Sequence, residues 1–277
     1  MDAARTDRTG AFAGRHLCPD HPQRWRCAVS TFLSLFKKEI RTCFLSPIAF
    51  VVLFFFWVLT GLNFWWLLVQ LADGESLTMA TQQTFGGLIT FSLLVIVPLI
   101  TMRLFAEERK LGTLESLLTT PLTATELVAA KFAGSLVFYM VLWLPVVAYM
   151  VVLQKLSPAE ALQFPDFGAL RSGLLGVGLV GGLYIAIGLL MSSLTSNQIV
   201  AAISGFALLS IFFFSTLFMA YTSPNPSVRI VGQYLSPYAH LLDFSRGMVD
   251  SRTVALYLSY TAWFLFTAVK VVEYKRT

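Results

Sequence analysis

The chain has 277 residues, of which 56% are hydrophobic and 13% are charged, whereas soluble domains carry about 25% charged residues. Several apolar runs exceed the roughly 20 residues that a helix needs to cross a bilayer, so the composition excludes a soluble protein and predicts an all-α integral membrane protein. The formal net charge of +5 is modest, and no basic stripe indicates nucleic-acid binding.

The N-terminal residues 1–30 are rich in Arg, Asp, Gly and Pro and have no apolar periodicity. They lack the hydrophobic core of a signal peptide, so we expect a disordered cytoplasmic tail, or residues added by a start codon assigned too far upstream. Cys18 and Cys27 lie near two histidines in this segment, but their spacing matches no common zinc pattern and predicts no metal site.

A basic amphipathic helix is predicted at residues 31–44, where apolar residues recur at helical spacing. Lys37, Lys38 and Arg41 lie among these apolar residues. Helices of this kind lie in the membrane interface with their cations facing anionic lipid headgroups. The sequence therefore predicts an interfacial helix that contacts membrane lipid.

Six transmembrane helices are predicted in the rest of the chain, so residues 31–277 are expected to form one transmembrane domain. The predicted spans are about 48–71, 85–102, 128–153, 173–194, 198–221 and 254–269. Pro98 predicts a kink in the second span. Gly178, Gly182 and Ala186 form a small-residue ridge on the fourth span, which predicts close helix packing within this chain or against a second copy.

The distribution of basic residues predicts the orientation. Fifteen of the 20 Lys and Arg residues fall in the N-terminal segment, in the 103–131 region or at the C-terminal end. The positive-inside rule therefore places both termini and the 103–131 region in the cytoplasm, which agrees with an even number of spans. The 222–252 loop is then the largest external segment, and its residues 238–248 have the pattern of a short amphipathic helix.

The segment between the second and third spans carries clear local signals. Residues 107–110 (Glu-Glu-Arg-Lys) form a charge cluster that we expect to be solvated, and Gly112 after it offers a break in the helix. Thr113 can cap a new short helix whose first turn contains Glu115. The sequence Thr123-Ala-Thr-Glu126 is a capping box that begins the next helix.

The run Glu-Glu-Arg-Lys-Leu-Gly-Thr-Leu-Glu-Ser-Leu-Leu at 107–118, followed by Thr-Pro-Leu at 120–122, closely resembles the hallmark segment of ABC-2-type exporter permeases. The resemblance covers the chain layout from about Phe32 to the C-terminus. In that family the matching segment is a coupling helix that docks into a groove on a separate ATPase subunit. The segments 192–200 and 234–250 resemble the branch that contains gliding-motility and copper-enzyme-maturation permeases.

This resemblance implies a permease subunit in the plasma membrane, the inner membrane of bacteria, that forms the substrate pathway as a dimer. The second half would be another copy or a related permease, and short external helices would lie between spans five and six. ATP and Mg would bind to the partner ATPase subunit. This chain contains no phosphate-binding loop of the GxxxxGK[ST] type and no catalytic motif. We therefore expect a non-catalytic transporter subunit, with ATP hydrolysed by the partner.

The residues expected to contact the ATPase come from the resembling segment, and the interfacial helix is expected to touch the ATPase as well. The candidate coupling residues are Glu107, Glu108, Arg109, Gly112, Thr113, Leu114, Glu115, Leu117 and Leu118. The alternative is a non-transporting membrane scaffold that uses the same ATPase contact to transmit force to an external assembly or accessory protein, with the 222–252 loop as its output surface. The sequence assigns no substrate-binding residues.

Overall fold

The computed structural model describes residues 24–73, 88–110, 112, 123–156 and 167–274, and within these ranges the chain is helical and forms no strand. The helices are α1 (Arg24–Phe44), α2 (Pro47–Ala72), α3 (Leu88–Thr101), α4 (Arg103–Lys110), α5 (Ala124–Leu142), α6 (Leu144–Leu156), α7 (Phe167–Leu194), α8 (Gln198–Tyr221), α9 (Pro226–Leu235), α10 (Pro237–Ser245) and α11 (Ser251–Tyr274).

The prediction of six spans is confirmed, because six segments in the described part of the chain are long and apolar enough to cross a membrane. These segments are Pro47–Ala72, Thr90–Lys110, Ala124–Val152, Gly168–Leu194, Gln198–Tyr221 and Ser251–Tyr274. The second span was predicted to end near residue 102, but its helical course continues through α4 to Lys110. The charged residues 107–110 are therefore part of the helix that leaves the second span.

Pro98 lies inside α3, which continues past it to Thr101. One turn beyond Pro98, a turn at Met102 separates α3 from α4. The Met102 N–H still donates to the Pro98 carbonyl at 2.9 Å, so backbone hydrogen bonding reaches the break. Proline disturbs the turn that precedes it, so the break at Met102 is not its direct effect and the kink at Pro98 stays a prediction.

The fourth span, α7, is the central helix of the fold and contacts α3, α4, α5, α8, α10 and α11. Its glycines allow this crowding: a Cβ at Gly181 would overlap the ring of Tyr139 on α5. The predicted ridge is also used within this chain, since Gly178 faces Met140, Gly182 faces Phe132, and Ala186 is fully buried.

Two short helices, α9 and α10, lie between the fifth and sixth spans. The family resemblance implies short helices here, and the residue pattern located α10, which ends at Ser245 and is followed by Gly247 with a φ of 84°. The sequence signal for α9 was missed, although Asn225 caps its first turn by accepting from the Ser227 N–H at 3.2 Å and Pro226 occupies the first helical position. Both helices contact α8, and α10 also contacts α7.

Helix α1 begins at Arg24, earlier than the predicted start at residue 31, so residues 24–30 belong to the helix and not to a disordered tail. It contacts α5, and Leu35 and Glu39, one turn apart, are buried there. A second apolar core lies at this end of the bundle, where α4, α5, α7 and the last turns of α11 meet. The structure therefore brings α1, the end of the second span, the start of the third span and the C-terminal turns of α11 to one end of the molecule.

Candidate functional site

The main candidate site is a buried ion cluster centred on Lys131, which lies two turns into α5 and is only 1% exposed. Its Nζ lies 3.0 Å from Oε1 of Glu39 on α1 and 2.9 Å from Oε1 of Glu108 on α4. The same ammonium lies 5.2 Å from the centroid of the Phe105 ring. One cation thus joins three helices, and we call Glu39, Glu108 and Lys131 the Lys131 cluster.

Burial decides how strongly these three charges depend on one another. Glu39 is 4% exposed and the Glu108 side chain 16% exposed, so little water can replace the lysine as their partner. Removing one member of such a buried pair leaves an uncompensated charge and costs about 3–5 kcal/mol. The cluster therefore holds α1, α4 and α5 in one fixed arrangement.

The electrostatic effect of the cluster extends to Cys43, which follows Glu39 by one turn of α1. Burial, together with the Glu39 carboxylate, raises the pKa of the Cys43 thiol to about 11. The ammonium of Lys131 acts in the opposite direction but is the smaller influence. The thiol therefore stays protonated at neutral pH and reports on the charge of Glu39.

The first turn of α4 is held by Ser192 of α7, which is fully buried. Its hydroxyl oxygen accepts from the backbone N–H groups of Phe105 and Ala106 at 3.1 and 3.2 Å and donates to the Met102 carbonyl at 3.0 Å. The first N–H groups of any helix lack partners within that helix. Ser192 supplies those partners and closes the break at Met102, so it fixes the helix that carries Glu108.

The end of α4 follows the predicted glycine break. Gly112 has a φ of 67°, and its N–H donates to the Arg109 carbonyl at 3.1 Å. Side chains with a Cβ rarely adopt this left-handed conformation, whereas glycine does so without a steric penalty. The predicted break at Gly112 is therefore confirmed.

The start of α5 follows the predicted capping box. The Glu126 N–H donates to Oγ1 of Thr123 at 3.2 Å, and the Thr123 N–H donates to Oε2 of Glu126 at 3.1 Å. Both pairs satisfy backbone or side-chain groups that an uncapped helix would leave to solvent. The segment after Gly112 is therefore preceded by one anchored helix, α4, and followed by another, α5.

The described candidate residues of this segment do not form one solvated surface. Glu108 points toward Lys131, which corrects the prediction that residues 107–110 are all solvated. Glu107 is half-buried and accepts from the Arg103 Nε at 3.2 Å, while Arg109 is also half-buried and Lys110 is exposed. Thr113, Leu114, Glu115, Leu117 and Leu118, and with them the predicted coupling helix, lie outside the described residues.

The candidate residues of the interfacial helix are exposed, as predicted. Lys37 and Arg41 lie about 160° around α1 from the buried Glu39, and Lys38 lies about 100° from it. Together with Arg103 of α4 they line a groove of about 700 Å³. The structure therefore brings the basic residues of α1 next to the helix that leaves the second span.

Sequence analysis missed Lys131, Glu39 and Ser192 as members of this site. A signal for two of them was present: Lys131 lies among apolar residues early in the third span, and Glu39 lies on the apolar face of α1. A charge in such a place needs a counterion. The missing information was which helices pack together, because Glu39 and Lys131 are 92 positions apart.

Comparison with known families gives one match: the family model described as "ABC-2 family transporter protein" matches residues 67–271. The match covers most of the chain and includes Glu108, Lys131 and Ser192, whereas α1 with Glu39 lies before it. No curated protein matches the chain.

Proposed function

The chain belongs to the ABC-2 family of transporters, and we propose that it is the permease subunit of an ATP-driven exporter. Family membership indicates a transmembrane subunit that pairs with an ABC-type ATPase subunit, and not a catalytic enzyme. Our proposal adds that ATP and Mg bind to that partner and that the substrate pathway forms between this chain and a second copy or a related permease.

The observation that supports coupling is the way the segment 113–122 is held at both ends. On one side α4 is fixed by Ser192 and Glu108, and on the other side α5 is fixed by its capping box and by Lys131. A force applied by the ATPase to this segment would pass into both helices at once. Because the Lys131 cluster also includes Glu39, α1 would move with them as one body.

This mechanism changes the role of the candidate coupling residues. Leu114, Leu117 and Leu118 would fill the groove on the ATPase, and Glu115 would cap its own helix or meet a basic residue of the ATPase. Glu108 would act inside the permease by transmitting the motion to Lys131. Closure of the ATPases on ATP binding would then tilt the second and third spans and change access between the two permease halves.

Two extensions of the proposal rest on the sequence. The distribution of Lys and Arg supports a plasma-membrane protein, in bacteria of the inner membrane, with both termini in the cytoplasm. The segments 192–200 and 234–250 support an assignment to the branch that contains gliding-motility and copper-enzyme-maturation permeases.

The test is affinity purification of the tagged protein from native membranes in mild detergent, with mass spectrometry and an ATPase assay. We expect a stoichiometric ABC-type ATPase that is lost when Glu115→Arg is combined with Leu118→Asp. Arg252→Glu serves as the control. Arg252 is exposed at the N-terminal end of α11, on the predicted external side, so this variant should retain the ATPase. Recovery of a stable, folded protein without any nucleotide-binding partner would contradict the proposal.

A second candidate function is favoured by α9, on which Ile230, Val231 and Tyr234 are exposed. Such a surface could contact an external accessory protein, in which case the subunit would transmit force to that assembly and transport nothing. ATP-dependent movement of a lipid-linked or small substrate in liposomes distinguishes the two functions. Transport without the accessory protein supports the exporter, whereas ATP hydrolysis without transport supports the scaffold.

A further inference from the structure

The groove beside α1 combines several cations with a buried, unsatisfied hydroxyl. Lys37, Lys38 and Arg41 line it from α1, and Arg103 lines it from α4. Glu39 does not neutralise them, because its carboxylate faces α5 and pairs with Lys131. Arg103 donates through Nε to Glu107 at 3.2 Å, which leaves a clear excess of positive charge in the groove.

Ser46 provides an independent sign that this groove binds a ligand. It lines the groove, is only 5% exposed, and its hydroxyl has no hydrogen-bond partner among the described residues. As the N-cap residue of α2 it could accept from the first turn of that helix, but its side chain makes no capping hydrogen bond. A buried hydroxyl without a partner is unfavourable, and an anionic oxygen in the groove would satisfy it.

The groove ends where the first span begins. Leu45 lines the groove and is 76% exposed, and α2 begins two residues later. Most of α2 is apolar and unburied. A ligand in this groove would therefore meet cations along α1 and the apolar start of the first span.

We propose that the groove binds an anionic phospholipid, with its phosphate held by Lys38, Arg41, Arg103 and Ser46 and its acyl chains along α2. A free inorganic anion would use the cations but not the apolar surface. An acidic surface of the ATPase is a weaker fit, because Ser46 and Leu45 lie where the first span begins. The proposal depends on an interfacial position of α1 and not on ATPase coupling, so each can fail without the other.

The experiment uses the full-length permease without the ATPase, in phosphatidylcholine nanodiscs with increasing phosphatidylglycerol, and native mass spectrometry to count bound lipid. Lys38→Gln with Arg41→Gln should weaken phosphatidylglycerol binding by roughly 20- to 30-fold, since each cation near an anionic lipid contributes about fivefold. Arg229→Gln with Arg252→Gln removes the same charge at exposed positions elsewhere and should leave binding unchanged.

Ser46→Ala distinguishes a built site from diffuse attraction, because it changes no charge. A loss of several-fold in affinity, with an unchanged melting temperature, supports the proposal. Equal losses in the Lys38/Arg41 and Arg229/Arg252 variants, or displacement of the lipid by 10 mM inorganic phosphate, would overturn it. So would unchanged lipid binding together with weaker ATPase recovery, because the groove would then belong to the ATPase contact.

Discussion

Replacing Lys131 by methionine is the sharpest test of the Lys131 cluster. Methionine keeps most of the side-chain volume but removes the only positive charge that the structure assigns to the cluster. Two carboxylates, on Glu39 and Glu108, would then face each other in a buried site without a cation. We expect Lys131→Met to destabilise the protein by about 3–5 kcal/mol, the usual cost of breaking a buried ion pair.

The partial exposure of the Glu108 side chain places the expected loss at the lower end of that range. With a shift of about 2–4 °C per kcal/mol for chains of this size, the melting temperature should fall by roughly 6–15 °C. The assay is thermal unfolding of the purified, detergent-solubilised protein, followed by size-exclusion chromatography with fluorescence detection. Lys270→Met is the matched control, because Lys270 pairs with Glu273 at 2.8 Å but is exposed; its loss should cost under about 1 kcal/mol.

A rescue variant separates charge from packing. Combining Lys131→Met with Glu39→Met and Glu108→Met removes all three charges, and a well-packed apolar cluster of similar volume can be as stable as the ionic one. We therefore expect the triple variant to recover most of the lost melting temperature. If the single variant is as stable as the wild type, or the triple variant is no better than the single one, the three charges do not act as one unit and the reasoning is wrong.

Two further predictions concern the surroundings of the cluster. Ser192→Ala leaves two N–H groups at the start of α4 without their acceptor, so we expect a loss of about 1–3 kcal/mol in unfolding experiments; Ser193→Ala, one residue away, is the comparison that should cost less. Maleimide labelling of Cys43, with the other two cysteines replaced by serine, should rise with pH toward about 11, since only the thiolate reacts. Glu39→Gln removes a charge that opposes the thiolate, so the labelling profile should shift to lower pH; a profile that does not move would contradict the placement of Glu39.

The sequence predicted those parts of the structure that depend on neighbouring residues. The six spans follow from apolar runs, the break at Gly112 from one residue, and the capping box from the pair Thr123 and Glu126. The sequence places the end of the second span near residue 102, and the structure shows that the helical course continues through α4 to Lys110. The apolar residues of α4 are buried while Lys110 is exposed, and a hydropathy pattern does not show this packing.

The Lys131 cluster could not be predicted for the same reason. Each of its residues has an ordinary local explanation: a lysine near the end of a span, a glutamate in a basic helix, and a glutamate in a charged turn. Their meaning depends on α1 lying across α5 and on α4 turning at Met102, and both are tertiary facts. Ser192 is similar: a serine in a transmembrane helix can bond to its own helix or to a neighbouring one, and only the packing of α7 against α4 shows which.

The short helix α4 lies between the proposed lipid groove and the proposed coupling segment. Arg103 and Glu108 are separated by about 140° around the helix axis, so the first reaches the lipid groove while the second reaches Lys131. A phospholipid that binds Arg103 and a force that acts through the segment after Gly112 would therefore act on the same rigid element. If the lipid favours one position of α4, it changes the affinity of the permease for the ATPase by some factor. Thermodynamic linkage then requires that ATPase binding change the affinity for the lipid by the same factor. Anionic lipid would then act as a regulator of coupling through α4, with no contact between the lipid and the ATPase.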